Sequence, residues 1–488
     1  MRILLLAHRY LPHSHGGVET WTRAMSLGLQ AAGHEVAILS RDDREQGGTA
    51  FSWHRVEDSS CPVYWVRHRL SFARNHRETW NDPRLAGPLR EIFADFRPAL
   101  VHLAHPDGWG VCPLDLANEL GIATAVTLHD YKWLCARGQM VHPSGDLCQE
   151  IDEERCVRCV LDQLSRGGAR ALAGRLAPAA LRRWALGAGE PDTATPTDEP
   201  GRLPRQRWRT ARFALLRALH DCDLVFSPSR FLAKRYQQAG LEREITVIPN
   251  GLDLEQPAER TTHDRWSAPR WASEQSGMPR PLRIGFFGND HPSKGLSVLQ
   301  EAILSLPAGS VELEIHGPPA SVPGNGSPWL WRGSYKRSEV LERMSAVDVV
   351  AIPSTWDENQ PMVALEARAA GKPLLVSSLG GLPELVDDHR DGWVLPAGKP
   401  EAWGQLIAIL AADRRKVAEA AQLASPPDTA ETMARAYLQT YSTTLGKETL
   451  GTPLTAHRSV EDNVNLRTVD RAESTTDEAA NNGAQDGQ

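Results

Sequence analysis

Short runs of leucine and β-branched residues alternate with helix-length segments through the first 440 residues. That rhythm confines the chain to parallel sheets covered by helices, because a parallel crossover needs a dozen or more residues and usually takes a helix. The class is α/β. Ile3 to Ala7 reads as a buried strand, Val18 to Ala32 as a helix closed by Gly33, and Glu35 to Ser40 as the next strand, with a Gly-containing turn from His13 to Gly17. Further strands are predicted at Val63 to Val66, Leu100 to Leu103, Ala123 to Leu128 and Leu224 to Ser227. The pattern then restarts, with strands at Leu282 to Phe287, Val311 to His316, Val347 to Ile352 and Pro373 to Ser377, and helices at Gly295 to Leu304, Ser338 to Ser345 and Pro361 to Ala370. Two sheets are implied, joined by a polar linker over residues 255–280, and open parallel sheets bind ligands at the carboxyl ends of their strands.

Composition excludes several classes. Of 488 residues, 41% are apolar and 24% charged, with a net charge of −7, which is ordinary for a globular chain and argues against wholesale nucleic-acid binding. No apolar run approaches the roughly 18 residues of a membrane span, and Ile3 to Ala7 is too short for a secretory core before His8 and Arg9 interrupt it. A cytoplasmic protein is therefore expected. From Lys447 to Gln488 there is no aromatic residue and little periodicity, the composition of a disordered tail.

Two segments depart from the α/β rhythm. Residues 165–217 carry eleven arginines against four acidic residues. They read either as a solvated helical insertion or, with Leu181, Trp184, Trp208, Phe213, Leu215 and Leu216 as anchors, as a surface for anionic lipid. The second is a cysteine group. Four of the seven cysteines, Cys135, Cys148, Cys156 and Cys159, are separated by twelve, seven and two residues. The set matches a closed structural zinc site, with Cys-x2-Cys as one half, and equally a loop with four plain thiols.

The segment Pro353-Ser354-Thr355-Trp356-Asp357-Glu358-Asn359-Gln360-Pro361 follows a strand and runs into the helix Met362-Val363-Ala364-Leu365-Glu366-Ala367. Pro361 suits the first helical turn, which leaves Glu358 in the preceding loop and Glu366 between one and two turns inside. Backbone N–H groups at Met362 and Val363 would offer an anion site, and the flanking carboxylates would accept sugar hydroxyls.

This segment resembles the Glu-x7-Glu motif of retaining GT-B glycosyltransferases, in particular family 4. The resemblance implies that Glu366 binds the ribose hydroxyls of a nucleotide sugar, that Glu358 contacts the transferred sugar, and that Asn359, Met362 and Val363 belong to the donor site. Gly16-Gly17-Val18-Glu19 resembles the family's glycine loop after the first strand, where backbone approaches the donor. Thr127-Leu128-His129-Asp130 resembles its strand-end His-Asp, which places His129 beside the donor sugar and gives Asp130 an orienting role. Gly380-Gly381-Leu382-Pro383-Glu384 resembles a second backbone approach to the donor. The stretches Phe226 to Phe231 and Val247 to Asp253 resemble those that close the N-terminal domain and shape the hinge. In Gly288-Asn289-Asp290-His291-Pro292-Ser293-Lys294-Gly295, the lysine that neutralises the leaving diphosphate is kept as Lys294, while Asn289 stands where the family usually has arginine. Arg337 is one basic residue that could substitute.

The resemblance implies a GT-B architecture. Residues 1–254 form an acceptor-side domain, 281–426 a nucleotide-sugar domain, and 427–446 a helix crossing back, before a tail over 447–488. It also implies metal-independent transfer from a nucleoside diphosphate sugar to a glycan or lipid-linked hydroxyl in bacterial polysaccharide or glycoconjugate synthesis, with retention and without a protein nucleophile. The Arg-rich insertion would then suit the inner face of the plasma membrane, and any zinc would be structural. A non-catalytic GT-B partner and a nucleotide-sugar epimerase or sugar phosphorylase of similar architecture stay open. A dinucleotide oxidoreductase fits worse, since neither strand-to-helix turn spells GxGxxG.

Overall fold

The computed structural model describes residues 1–44, 49–57, 61–69, 73, 75–165, 202–253, 280–318 and 329–451. Residues 254–279, which hold all but the last residue of the predicted linker, residues 166–201 of the predicted insertion over 165–217 and residues 452–488 of the predicted tail over 447–488 lie outside the described residues.

The N-terminal half contributes strands β1 (Arg2–Ala7), β2 (Glu35–Asp42), β3 (Trp53–Glu57), β4 (Pro62–Arg67), β5 (Leu100–Leu103), β6 (Ala123–Thr127), β7 (Leu224–Ser227) and β8 (Thr246–Val247). Its helices are α1 (Gly17–Ala31), α2 (Ala86–Phe96), α3 (Cys112–Glu119), α4 (Glu153–Ser165), α5 (Arg202–Asp221) and α6 (Arg230–Gln238). The C-terminal half contributes β9 (Leu282–Phe287), β10 (Val311–His316), β11 (Leu330–Gly333), β12 (Val349–Ile352), β13 (Leu374–Ser377) and β14 (Gly392–Leu395). With them come α7 (Leu296–Leu304), α8 (Val340–Ser345), α9 (Met362–Ala369), α10 (Pro400–Ala412), α11 (Arg414–Leu423) and α12 (Ala430–Gly451).

The first sheet runs β3-β4-β2-β1-β5-β6-β7-β8 and the second β11-β10-β9-β12-β13-β14. All pairs are parallel except β3 with β4. Both contain the doubly wound order in which the chain reverses direction beside its first strand, here between β1 and β5 and between β9 and β12. The central strands β5, β6 and β12 are buried along their whole length, as continuous apolar runs require. Strand β3 escaped the sequence reading because it is an antiparallel edge whose residues are largely exposed, so it carries no alternation.

Helix α12 packs on the first half. Its Met433, Ala434, Tyr437 and Tyr441 are buried in one core with Trp21, Met25 and Leu29 of α1. It continues to Gly451 through a kink at Gly446, past the predicted start of the tail. Under it, the His102 ring bonds to the Tyr441 hydroxyl at 2.6 Å and the Thr127 hydroxyl at 2.8 Å.

Burial holds His102 neutral in the fold, drawing its pKa from 6.5 down to about 3. The unfolded chain binds that proton near the ordinary value, so this residue's contribution to stability is present above pH 6.5 and is lost as pH falls toward 3. Tyr441→Phe strands a buried ring nitrogen and is expected to cost about 1–3 kcal/mol. Denaturant titrations of both proteins at several pH values check both effects; equal midpoints for variant and parent would contradict them.

Candidate functional site

Loops that follow β1, β6, β9 and β12 bring the predicted residues together. Lys294 ends a short 3-10 turn, and the αL conformation of Gly295 (φ 69°) lets the chain pass the Pro353 carbonyl, which a Cβ there would approach to 1.8 Å. The Lys294 ammonium reaches Glu358 Oε1 at 2.6 Å and stands 5.8 Å from the Trp356 ring centre. Ser354 Oγ donates to the same oxygen at 3.1 Å. Glu358 is buried while Lys294 keeps about a third of its side chain in solvent. Two positions predicted to serve different parts of a ligand are therefore one ion pair here.

The Glu358 loop is gripped by its neighbours. Gly380 has φ 63°, and a Cβ on it would fall 2.0 Å from the Glu358 carbonyl oxygen. The Gly381 N–H donates to that oxygen at 2.7 Å. The small size of this glycine pair, predicted to lie at the donor site, is required by its packing against residues 357–359.

Asn359, a predicted donor-site residue, has internal partners at both ends of its side chain. Its Oδ1 accepts from the Ser229 hydroxyl and its Nδ2 donates to the His129 carbonyl at 3.2 Å, so both ends of the amide brace one half against the other. Nearby, the Asn250 N–H donates to Gln360 Oε1 at 2.6 Å, and Glu384 accepts from the N–H groups of Arg230 and Phe231 at the start of α6. The two hinge stretches thus meet the second half directly. Asn289 is exposed, and its Oδ1 accepts from the His291 N–H at 3.3 Å, which closes a local turn.

Helix α9 begins at Met362, with Pro361 as its extended N-cap rather than its first helical residue. A Cβ on Gly17, the first residue of α1, would lie 3.9 Å from Met362 Cγ, so the starts of these two helices face each other, with Gly16 as the cap of α1 and Val363 partly buried in the first turn of α9. Burial raises the pKa of Glu366, and the nearby Arg337 guanidinium opposes that rise. Arg337 also donates to Thr20 Oγ1 and to the Asp253 carbonyl, both at 3.0 Å, reaching from one half to the other.

On the N-terminal wall, the His129 ring packs edge-on against Trp21 with centres 4.7 Å apart. Burial pulls its pKa down to about 3, reinforced by His105 and opposed by Asp130, so it is neutral. Its Nε2 is buried without a hydrogen-bond partner among the described residues. Asp130 orients His105 rather than His129: Oδ2 meets His105 Nε2 at 3.0 Å, and Oδ1 accepts from the Lys132 N–H at 2.8 Å. The His8 ring lies tilted against His105 with centres 4.4 Å apart, and burial draws its pKa down to about 3 as well. Glu19 is buried beside them, accepting from the Ser14 hydroxyl at 2.6 Å. His8 and His105 were not singled out from sequence, although each follows its strand end almost at once, the position that selected His129.

Cys135, Cys148, Cys156 and Cys159 border a single cavity. On α5, Trp208 lines that cavity, and Leu215 and Leu216 pack on the core, which leaves Phe213 exposed among the expected lipid anchors there; Leu181 and Trp184 lie outside the described residues. No helix among the described residues is long and apolar enough to cross a membrane.

A family model described as Glycosyltransferase Family 4 matches residues 15–143 and 178–256, and one described as Glycosyl transferases group 1 matches residues 281–413. Curated relatives include the D-inositol 3-phosphate glycosyltransferase of Corynebacterium glutamicum, 29% identical over 35% of this chain and 44% of the relative. That of Xylanimonas cellulosilytica is 32% identical over 39% of this chain and 49% of the relative. The chain thus spans less than half the length of each of these relatives. Among solved structures, Anabaena HepE in complex with UDP superposes with a TM-score of 0.57 at 17% identity, covering 91% of this chain and 100% of that one. Sucrose-phosphate synthase from Thermosynechococcus elongatus gives 0.57 at 16% identity, covering 91% and 98%. With both halves matched by family models and the doubly wound pair of sheets in place, the chain belongs to the family 4 glycosyltransferases of GT-B fold.

Proposed function

We propose that the protein transfers a glycosyl group, with retention, from a nucleoside diphosphate sugar to a hydroxyl of a glycan or lipid-linked acceptor. The observation that carries this reading is the Lys294–Glu358 pair, held in the loop that is braced against His129 and leads into α9. Breaking the bond between anomeric carbon and phosphate oxygen builds negative charge on the diphosphate and positive character on the sugar. Lys294, with the amides that start α9, would hold the former; Glu358 would face the latter. Among the described residues both side-chain bonds to the Glu358 carboxylate end on Oε1, and Oε2 would take a sugar hydroxyl. His129 supplies a neutral ring nitrogen, and the acceptor proton would pass to the leaving phosphate, so no protein nucleophile enters. Glu366 would take the ribose hydroxyls. HepE has been crystallised with UDP and with UDP-glucose, which supports this class of donor.

Asn289 in place of arginine favours a second reading, a GT-B protein that binds the donor without transferring it. A thermal-shift panel of UDP-, GDP-, ADP- and TDP-sugars, followed by transfer assays on acceptor extracts, separates the two: binding without product supports the second, and neither binding nor product defeats both.

If the first holds, Lys294→Ala lowers kcat about 10²- to 10³-fold, the usual effect of losing one oriented charge donor. Glu366→Gln instead raises donor KM at unchanged melting temperature. Because the pKa of Glu366 is raised, its carboxylate is lost on acidification at a higher pH than that of an ordinary glutamate. Arg337 opposes that rise, so Arg337→Ala is expected to move the acid limb of the kcat/KM profile to higher pH; an unmoved limb would contradict the pairing. Gly380→Ala, forced against the Glu358 carbonyl, is expected to lower both melting temperature and kcat, whereas Gly398→Ala, in open space with a similar φ of 64°, should lower stability alone.

A further inference from the structure

We propose that Cys135, Cys148, Cys156 and Cys159 hold one structural zinc ion that staples the loop after β6 to α4. Between Thr127 and Glu153 the chain forms no strand or α-helix, only an isolated bridge of Val141 with Leu147. So long an irregular stretch is uncommon in a compact domain unless something ties it down.

Three separate backbone pieces deliver the thiols. Cys135 closes a turn through its N–H to the Tyr131 carbonyl at 2.7 Å, and Cys148 closes the small hairpin through its N–H to the Met140 carbonyl at 2.7 Å. Cys156 lies in the first turn of α4, with its N–H 2.8 Å from the Asp152 carbonyl, and Cys159 follows three residues on, which puts both on one helical face. All four border one cavity of about 30 Å³, room for a single ion or water. Four sulfur donors favour zinc over the harder divalent ions.

His142 also borders the cavity, but four thiolates already complete a closed tetrahedral zinc site, so the set is read as four cysteines. Among the described residues, no three metal-ligating side chains are yet drawn around a common point, so binding contracts the loop toward Zn–S distances of about 2.3 Å. The contraction would be felt beyond the loop, because Arg235 of α6 donates to the Cys148 and Gln149 carbonyls.

The test is metal analysis of the full chain purified under reducing conditions without chelator, with cobalt exchange as a spectroscopic reading of the donor set. One zinc per chain is expected, together with the charge-transfer bands of tetrahedral cobalt thiolate. Cys156→Ser and Cys148→Ser should lose the metal and His142→Ala should keep it. Should the serine variants fail to fold, thiol labelling of the native parent decides, since four cysteines should be protected until a chelator is added. Absence of both zinc and cobalt bands from the parent, disulfides among these cysteines, or loss of metal in His142→Ala would overturn the assignment.

Discussion

A carboxylate buried as deeply as that of Glu358 is tolerable only while its charge is answered, and the surrounding loops supply that answer. Lys294 and Ser354 both address Oε1, at 2.6 and 3.1 Å. Removing either would leave a desolvated charge with too few partners, which costs more than an exposed pair of the same geometry contributes. The backbone beneath is held just as firmly. Glycine at 380 admits the Glu358 carbonyl, the Gly381 N–H bonds to it, and the Tyr131 hydroxyl donates to the Asp357 carbonyl at 3.1 Å from the opposite half. The ion pair is thus fixed relative to both sheets, and a ligand phosphate that draws on Lys294 must share it with Glu358.

The opposing wall has a different electrical character. His8 and His129 are kept neutral by burial, with pKa values drawn down to about 3, and the cations near them are already engaged. Arg41 meets Asp107 at 3.4 Å, and Lys132 meets the same carboxylate at 3.1 Å. Lys294 and Arg337, the cations at the predicted donor residues, come from the second half. The free and shared cationic charge thus lies on the second half, while the facing histidines of the first are neutral.

Much of this could be read from the sequence, and the failures have physical causes. The central strands were legible because strands buried on both faces must be continuous apolar runs, as at Leu100 to Leu103. The edge strand Trp53–Glu57 was not, because a largely exposed strand has no such constraint. The Glu358 and Lys294 positions stood out by motif, yet their direct pairing is a long-range contact across 64 residues that no local pattern encodes. Gly380 and Gly381 were legible as glycines required by close approach, whereas their packing against the loop at 357–359 was not. The bracing bonds of Asn359 were not legible, because its partners, the Ser229 hydroxyl and the His129 carbonyl, lie far away in the chain and only the fold brings them together.

Arg337 shows how the scaffold and the chemistry become one problem. Its guanidinium stands near Glu366 and at the same time bonds across the cleft to Thr20 and to the Asp253 carbonyl, while Arg23 of α1 pairs with the Asp253 carboxylate at 3.0 Å. Separating the halves would break the two crossing bonds and return the guanidinium to water, where its attraction for a half-buried carboxylate is screened. Glu366 would then be left with burial alone, which favours its protonated form. A protonated Glu366 offers a poorer acceptor to hydroxyl groups than a carboxylate does. The closed arrangement and the charged form of Glu366 therefore stabilise each other.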